Sequence, residues 1–477
     1  MKYETVIGLE VHLHLNTRTK AFCACSTEFG NKPNSQTCPV CLGFPGSLPV
    51  YNKTALDYAI KVALALDCQV QEYTKFDRKN YYYPDLPKNY QISQYDLPLS
   101  LRGFLDIEIE GKVKRIGITR VHMEEDAGKL IHKDNISLMD FNRAGVPLLE
   151  IVSEPDISSP AEAYEYLMSL KSTLEYLEVS DCDMEKGSLR CDANISLRLN
   201  GEKKLGVKIE LKNMNSFKAV KEALAFEAER QARVLDDGEV LVQETRLWDE
   251  KEKATVAMRT KEGAQDYRYF PEPDLPPFTI TSEKIEQVRK ALPETAKEKR
   301  LRFSRDYGLV DYDAKILTAS KRDALYSEEA MKSYRGDNKK PVANWLIGPM
   351  LSEANARGLT ISGLNISAQG LCELIGFVQR QEISNLVAKS VLTEMIDSGK
   401  PAAKIIKEKN LAQVSDTGKL EEVVEEVINS NPKSVSDFRS GKDNALMFLV
   451  GQAMRKSQGK ANPKVLQDLF KRRLSDA

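Results

Sequence analysis

The hydrophobic period of this 477-residue chain changes once, near Pro293, and that change limits the folds open to it. Before Pro293, apolar residues recur at every second position. Ile7, Leu9, Val11, Leu13 and Leu15 alternate with Gly8, Glu10, His12 and His14. Leu189, Cys191, Ala193, Ile195 and Leu197 alternate with Arg190, Asp192, Asn194 and Ser196, and Leu205, Val207, Ile209 and Leu211 with Lys208, Glu210 and Lys212. Period two means strands with one buried and one polar face. A helix inside this region is announced by Ser159-Pro160-Ala161-Glu162, a capping box with proline at the first helical position, and should bury Leu167, Leu170, Leu174 and Leu177. After Pro293 the segments 293–302, 367–381 and 382–397 follow a helical period and lack β-branched runs. The expectation is an α+β chain: a β-rich domain over residues 1–293, then two all-helical domains over 294–405 and 406–477, the last with loops at 429–433, 441–443 and 457–463.

The polar faces carry the chemistry. Glu10, His12 and His14 share one face of the first run, and His122-Met123-Glu124-Glu125-Asp126 is a second acidic pattern holding a histidine. Glu150, Asp192 and Glu210 end or interrupt further apolar runs. If residues 189–197 and 205–211 pair as a hairpin, a three- or five-residue loop keeps both apolar sets on the core side. Asp192 then faces Glu210, or Asn194 faces Glu210 with Asp192 on the diagonal. Carboxylates so placed repel unless a cation intervenes, either a metal or the neighbouring Arg190 and Lys208. A strand face of Glu and His is commonly no more than solvated. Acidic positions from several strands of one domain instead suit a hard divalent cation and bound phosphate.

Cys23-Ala24-Cys25 and Cys38-Pro39-Val40-Cys41, separated by twelve residues, match a structural four-cysteine zinc site within the loop 23–41. All four ligands come from the protein, so the metal should fold a loop rather than catalyse. Cys68, Cys182, Cys191 and Cys372 are isolated and read as small core residues. With 42% hydrophobic and 29% charged residues and no run of about 18 apolar residues, the composition is that of a soluble cytoplasmic protein without a membrane segment. The net charge of −1 confines any nucleic-acid contact to local basic patches. Lys75–Asp85 mixes bases with three consecutive tyrosines and suits phosphate contact and stacking, or else a tyrosine-rich strand and turn. Residues 441–477 carry eight lysines and arginines against three aspartates. Within them Arg455, Lys456, Lys460, Lys471, Arg472 and Arg473 read as a solvated helix face or a polyanion-binding surface. The phosphate-binding sequence Gly-x-x-x-x-Gly-Lys-Ser/Thr is absent, which excludes P-loop use of ATP.

Several ordered motifs resemble the B subunits of tRNA-dependent amidotransferases, the GatB family. They are Glu4–His12, Lys75–Tyr81, Lys88–Gln94, Arg120–Lys129, Glu150–Asp156, Ser188–Asn194, Glu210–Asn213 and Asp266–Asp274, and the likeness spans essentially the whole chain. The resemblance implies a cradle-like catalytic domain, a helical domain and a YqeY-like tail domain that binds tRNA. It implies that the side-chain carboxylate of Glu-tRNA(Gln) or Asp-tRNA(Asn) is phosphorylated by ATP, then amidated by ammonia from a partner glutaminase of the amidase type, the A subunit. A small C subunit is a further implied partner. This chain lacks the Gly-Gly-Ser-Ser-Gly run of such a glutaminase. On matching positions, the family's magnesium site and catalytic set fall on Glu10, His12, Glu125 and Glu210, with Glu124 and Glu150 beside them. A histidine ligand makes a mixed site, open to manganese as well. Lys79, Arg190 and Lys208 are the candidates to meet ATP phosphates, and Lys79–Tyr83 borders the path of ammonia. The rival readings are a zinc-stabilised tRNA-binding protein without catalysis and a metal-dependent nuclease. The first would show no ATP turnover. The second would cleave RNA with magnesium and without ATP.

Overall fold

A computed structural model describes residues 2–258, 266–411, 417–440, 442–457, 461 and 463–475. The chain divides into two compact units, residues 1–295 and 296–477.

The first unit is built on a nine-stranded sheet. Its strands in spatial order are Ala254–Ala257, Thr245–Asp249, Ile209–Lys212, Leu189–Leu199, Tyr3–His14, Pro147–Ser153, Lys112–Glu125, Ser100–Ile109 and Gln69–Val70. Neighbours run antiparallel except Ile209–Lys212 beside Thr245–Asp249. The period-two reading holds where it was clearest: in Tyr3–His14 burial alternates from Ile7 onward, with Ile7, Leu9, Val11 and Leu13 in the core. Those residues pack with Leu149, Ile151, Val121, Met123, Cys191, Ala193, Ile209 and Leu211 against helices Pro160–Leu177 and Phe217–Asp236. One face of the sheet is thus sealed by helices, and the central strands turn their polar residues to the other.

The helix Pro160–Leu177 starts where the capping box placed it. Ser159 Oγ accepts from the Glu162 N–H at 3.2 Å, while the Glu162 carboxylate accepts from the Ser158 N–H at 2.7 Å, one residue earlier than a standard box would have it. The hairpin adopts the second of the two registers left open. Asn194 faces Glu210 and Ile195 faces Ile209. Its outgoing strand is shorter than the alternation suggested: Leu205, Val207 and Lys208 are exposed and precede Ile209–Lys212. The reason is at Gly206. A Cβ there would lie 2.0 Å from the Leu197 carbonyl oxygen, so the segment crosses the strand edge too closely for a paired side chain.

Among the described residues the second unit is all-helical, from Ala296–Tyr307 to Pro463–Ser475. Ser367 and Ser384 cap helices Ala368–Gln379 and Asn385–Ser398 through bonds from the Gly370 and Val387 N–H groups. The unit holds two separate apolar clusters, one from Phe303 to Ile406 and one from Leu420 to Leu474. The sequence boundary at 405/406 falls inside helix Ala402–Glu408, whose Ile405 and Ile406 both belong to the first cluster. No described helix is long and apolar enough to cross a membrane.

Candidate functional site

Strand register assembles the polar face row by row. Glu10 lies opposite Asp192 on one side and Val152 on the other. One step along, Arg190, His12, Glu150 and His122 line up across four strands. In the next row His14 faces Leu148, and Leu148 faces Glu124. Two groups of ligand atoms therefore converge, both through His12: Glu10, His12 and Asp192, and His12, Glu124 and Glu150, each with its atoms within 4.8 Å of one another.

The contacts inside the row are polar and mostly shielded from water. His12 Nε2 is 3.4 Å from Glu10 Oε1 and 3.5 Å from Glu150 Oε2. His122 Nδ1 accepts from Arg120 Nε at 3.3 Å, which leaves Nε2 to donate to Glu124 Oε1 at 3.1 Å. Ser93 Oγ and Gln91 Nε2 also donate to Glu124, at 2.6 and 2.9 Å. Burial and the Glu150 carboxylate push Glu10 up from its ordinary pKa. Burial alone would push the His12 imidazole down, but Glu150, Glu10 and Glu124 outweigh it and raise it. Burial works against the charge of Glu124 too, yet His122 and Lys79 hold it well below the usual carboxylate range. Lys79, from the short strand Asp77–Asn80, lies opposite Gln91, whose amide donates to Glu124, and Glu124, Tyr269 and Glu150 raise it in spite of burial.

Next to the row sits a cationic knot. Asp126 Oδ2 is 2.5 Å from His14 Nε2, 2.9 Å from Arg190 Nη2 and 3.3 Å from Arg143 Nε. Burial opposes the Asp126 charge, but Arg190, His14 and Arg143 hold its carboxyl far below the ordinary value. Arg190 Nε is buried and has no hydrogen-bond partner among the described residues.

The set Glu10, His12, Glu125 and Glu210 is not brought together. Glu125 alternates with Glu124 along Lys112–Glu125, so it lies on the opposite side of the sheet, the side of Val121 and Met123. There it pairs with Lys88 Nζ, accepts from the Ile92 N–H at 3.0 Å, and lines a cavity with Lys20, Cys23, Cys41 and Tyr90. Glu210 does share the polar face, but Asn194 separates it from Gly8, and Lys212 stands between Glu210 and Asp192. Thr245 Oγ1 donates to Glu210 at 2.6 Å. Lys212 pairs with both Asp192 and Glu210, which raise it against the effect of burial, so the cation between these carboxylates is Lys212 rather than the Arg190 and Lys208 read from the sequence. Lys208 is exposed on the loop and joins none of these groups. Glu124, Glu150 and Asp192 take the places beside His12. Period two could have selected Glu124 over Glu125, since His122 and Glu124 share a face. His14 and Asp126 belong to the two histidine-bearing patterns, and Lys88 and Lys212 to motifs that carry the resemblance, but no sequence signal assigned these four a role in the site.

The four cysteine sulfurs Cys23, Cys25, Cys38 and Cys41 also lie within 4.8 Å of one another. The loop holds them with short-range bonds: Cys38 N–H donates to Cys41 Sγ at 3.2 Å, Leu42 N–H to Cys38 O at 3.1 Å, and Lys20 N–H to Cys25 O at 3.0 Å. Buried Lys20 also donates from Nζ to Cys41 Sγ at 3.6 Å. Hydrogen bonds and Lys20 pull Cys41 down to about 4, while burial pushes Cys25 up to about 11. Four thiols so close, with one already favouring thiolate, suit a tetrahedral soft-metal centre.

In the basic tail, Lys456 pairs with Glu426, and Arg473 Nη2 lies 3.3 Å from Glu425 and 3.5 Å from Glu421. Arg455, Lys471 and Arg472 are exposed, and Lys460 lies outside the described residues.

Residues 5–286 match the model of the GatB/GatE catalytic domain, and residues 325–474 match that of the GatB domain. The chain is 55% identical to the B subunit of the aspartyl/glutamyl-tRNA(Asn/Gln) amidotransferase from Carboxydothermus hydrogenoformans, covering 99% of both chains. It is 55% identical to the protein of the same name from Caldanaerobacter subterraneus, over 100% of each, and 52% identical to that of Persephonella marina, over 99% of this chain and 100% of the relative.

Proposed function

Because the chain belongs to the GatB/GatE family, we propose that it is the B subunit of a tRNA-dependent amidotransferase. The side-chain carboxylate of Glu-tRNA(Gln) or Asp-tRNA(Asn) attacks the γ-phosphorus of ATP, the bond to the ADP oxygen breaks, and an acyl phosphate forms. Ammonia then attacks the carbonyl carbon, the C–O bond to phosphate breaks, and an amide and inorganic phosphate remain. A carboxylate is a poor electrophile, and the phosphate supplies the leaving group it lacks. Phosphoryl transfer asks a protein chiefly for alignment and charge neutralisation.

The observation that carries this reading is the convergence on His12 of Glu10 and Asp192 and of Glu124 and Glu150, with Lys79 beside Gln91, the partner of Glu124, and Arg190 opposite His12. One or both of the two groups that share His12 would hold magnesium or manganese, since each donor set is two carboxylates with one imidazole. The cation would neutralise charge on the phosphoryl group. Lys79 and Arg190 orient phosphate oxygens, and Asp126 fixes the direction of the Arg190 guanidinium. The four cysteines would hold zinc and brace the loop 23–41, with the Lys20 ammonium donating to Cys41 Sγ. Partner A and C subunits supply ammonia and join the chains, and the tail from residue 417 carries tRNA contacts through Arg455, Lys471 and Arg472.

The test is phosphate release from labelled ATP by the assembled complex with mischarged tRNA. His12→Ala and Glu150→Gln should each lower it by at least a hundredfold and leave tRNA binding within a few fold. Full release by both variants would sink the assignment of the row. tRNA binding without any ATP turnover by the wild-type complex would favour the non-catalytic reading, and RNA cleavage without ATP the nuclease.

A further inference from the structure

Five tyrosines from three chain segments form a continuous row next to Lys79. Tyr83 meets Tyr81 at a ring-centroid distance of 6.3 Å, Tyr81 meets Tyr267 at 5.8 Å, Tyr267 meets Tyr269 at 6.1 Å, and Tyr269 stacks on Tyr95 at 4.2 Å with the planes 9° apart. The Lys79 ammonium lies 5.0 Å from the Tyr267 ring centre and 5.9 Å from that of Tyr81. Both ends of the row are open to solvent: Tyr83 is 57% and Tyr95 59% exposed. Aromatic rings left this exposed are rarely needed for the core.

We propose that this row seats the single-stranded 3′ acceptor end of the aminoacyl-tRNA, with its bases stacked on the rings beside Lys79. The proposal rests on the amidotransferase reading, and three observations favour it over other occupants. The reacting carboxylate is tied through the aminoacyl ester to the terminal ribose, so the terminal bases must lie near the carboxylate cluster, which the row reaches through Gln91: Tyr81 Oη donates to Gln91 Oε1 at 3.4 Å, and Gln91 Nε2 donates to Glu124 at 2.9 Å. A mononucleotide such as ATP is ordinarily held in an enclosed cleft that covers most of it, whereas this row opens to solvent at both ends. Successive rings along an edge, joined to a cation, are how sequence-tolerant single-strand sites are built.

The test uses the full-length chain in its complex, with two probes: a tRNA transcript with an intact CCA end and the same transcript lacking those three nucleotides. Tyr83→Ala and Tyr95→Ala are combined, since exposed rings can be removed without opening the core. A matching thermal unfolding profile verifies this. The wild type should prefer the intact transcript, and the double variant should lose that preference by about tenfold, the worth of stacking one base. Tyr95→Trp should retain it. An unchanged preference in the double variant overturns the proposal, as does an equal loss for both transcripts. Weakened binding of a fluorescent ATP analogue with the CCA preference intact would assign the rings to the nucleotide's adenine and overturn it too. Because binding is read without turnover, a complex that proved inactive would refute the amidotransferase reading separately from this one.

Discussion

Adjacent glutamates at 124 and 125 show what one residue of strand period decides. Glu124 meets His122, Gln91 and Ser93 on the polar face, whereas Glu125 is sealed against Lys88 on the other, with both side chains under 10% exposed. Removing one member of a buried pair strands the other's charge, at a cost of about 3–5 kcal/mol. Glu125→Ala should therefore show a lowered denaturation midpoint, and Lys88→Met combined with Glu125→Leu should recover most of it. A Glu125→Ala protein of wild-type stability would contradict this pairing. Asp126 makes a pH prediction of the opposite kind. Its folded-state pKa is depressed by Arg190, His14 and Arg143, so its stabilisation is complete above the unfolded value of about 3.9 and is lost as pH falls below it. Asp126→Asn should be the less stable protein at pH 7, and the gap should narrow as urea midpoints are followed from pH 5 to pH 3. A constant gap over that range would refute the ion cluster. Much of this was legible in the chain. Alternation alone put Glu10 and His12 on the polar face of one strand and Asp192 on the polar face of another. Which strands lie side by side was not legible, because Glu150 reaches His12 only through a pairing between strands more than 130 residues apart.

At the scale of elements, the cysteine loop and the hairpin contrast. The loop was legible because thiol chemistry fixes a spacing, and the spacing survives any path the chain takes between the pairs. The hairpin was legible only to a choice of two registers, since the apolar Leu205 and Val207 extend the pattern past the true strand, and only Gly206 hints at the break. The loop also predicts its response to metal removal. The purified chain should bind one zinc, and a strong chelator or Cys38→Ser should abolish it. Proteolysis within residues 23–41 should then accelerate at least tenfold, while the far strands of the sheet keep their hydrogen-exchange protection. Zinc content unaltered by Cys38→Ser would dismiss the site.

For the whole molecule, apolar clusters rather than composition say where the chain can be divided. A cut after Ile405 removes Ile406 from the cluster that runs back to Phe303, whereas a cut after Leu411 spares it and still removes all residues of the cluster from Leu420 to Leu474. The first truncation should lower the melting temperature of the remaining helical region, and the second should not. The longer truncation product is then the proper probe of the tail's charge. Each phosphate contact contributes about 0.7–0.9 to the slope of log affinity against log salt. Arg455, Lys471 and Arg472 are exposed, while Lys456 and Arg473 are engaged by Glu426, Glu425 and Glu421 and must break those pairs to reach RNA. Replacing the first three by alanine should reduce the slope for tRNA by roughly 2 to 3. Replacing Lys456 and Arg473 should reduce it by less than 1, because pairing within the fold already neutralises them. Removal of everything after Leu411 should match or exceed the triple variant. A truncated chain that keeps the full slope would move the RNA contact out of the tail and onto the catalytic unit, where Lys79 and the tyrosine row would have to carry it.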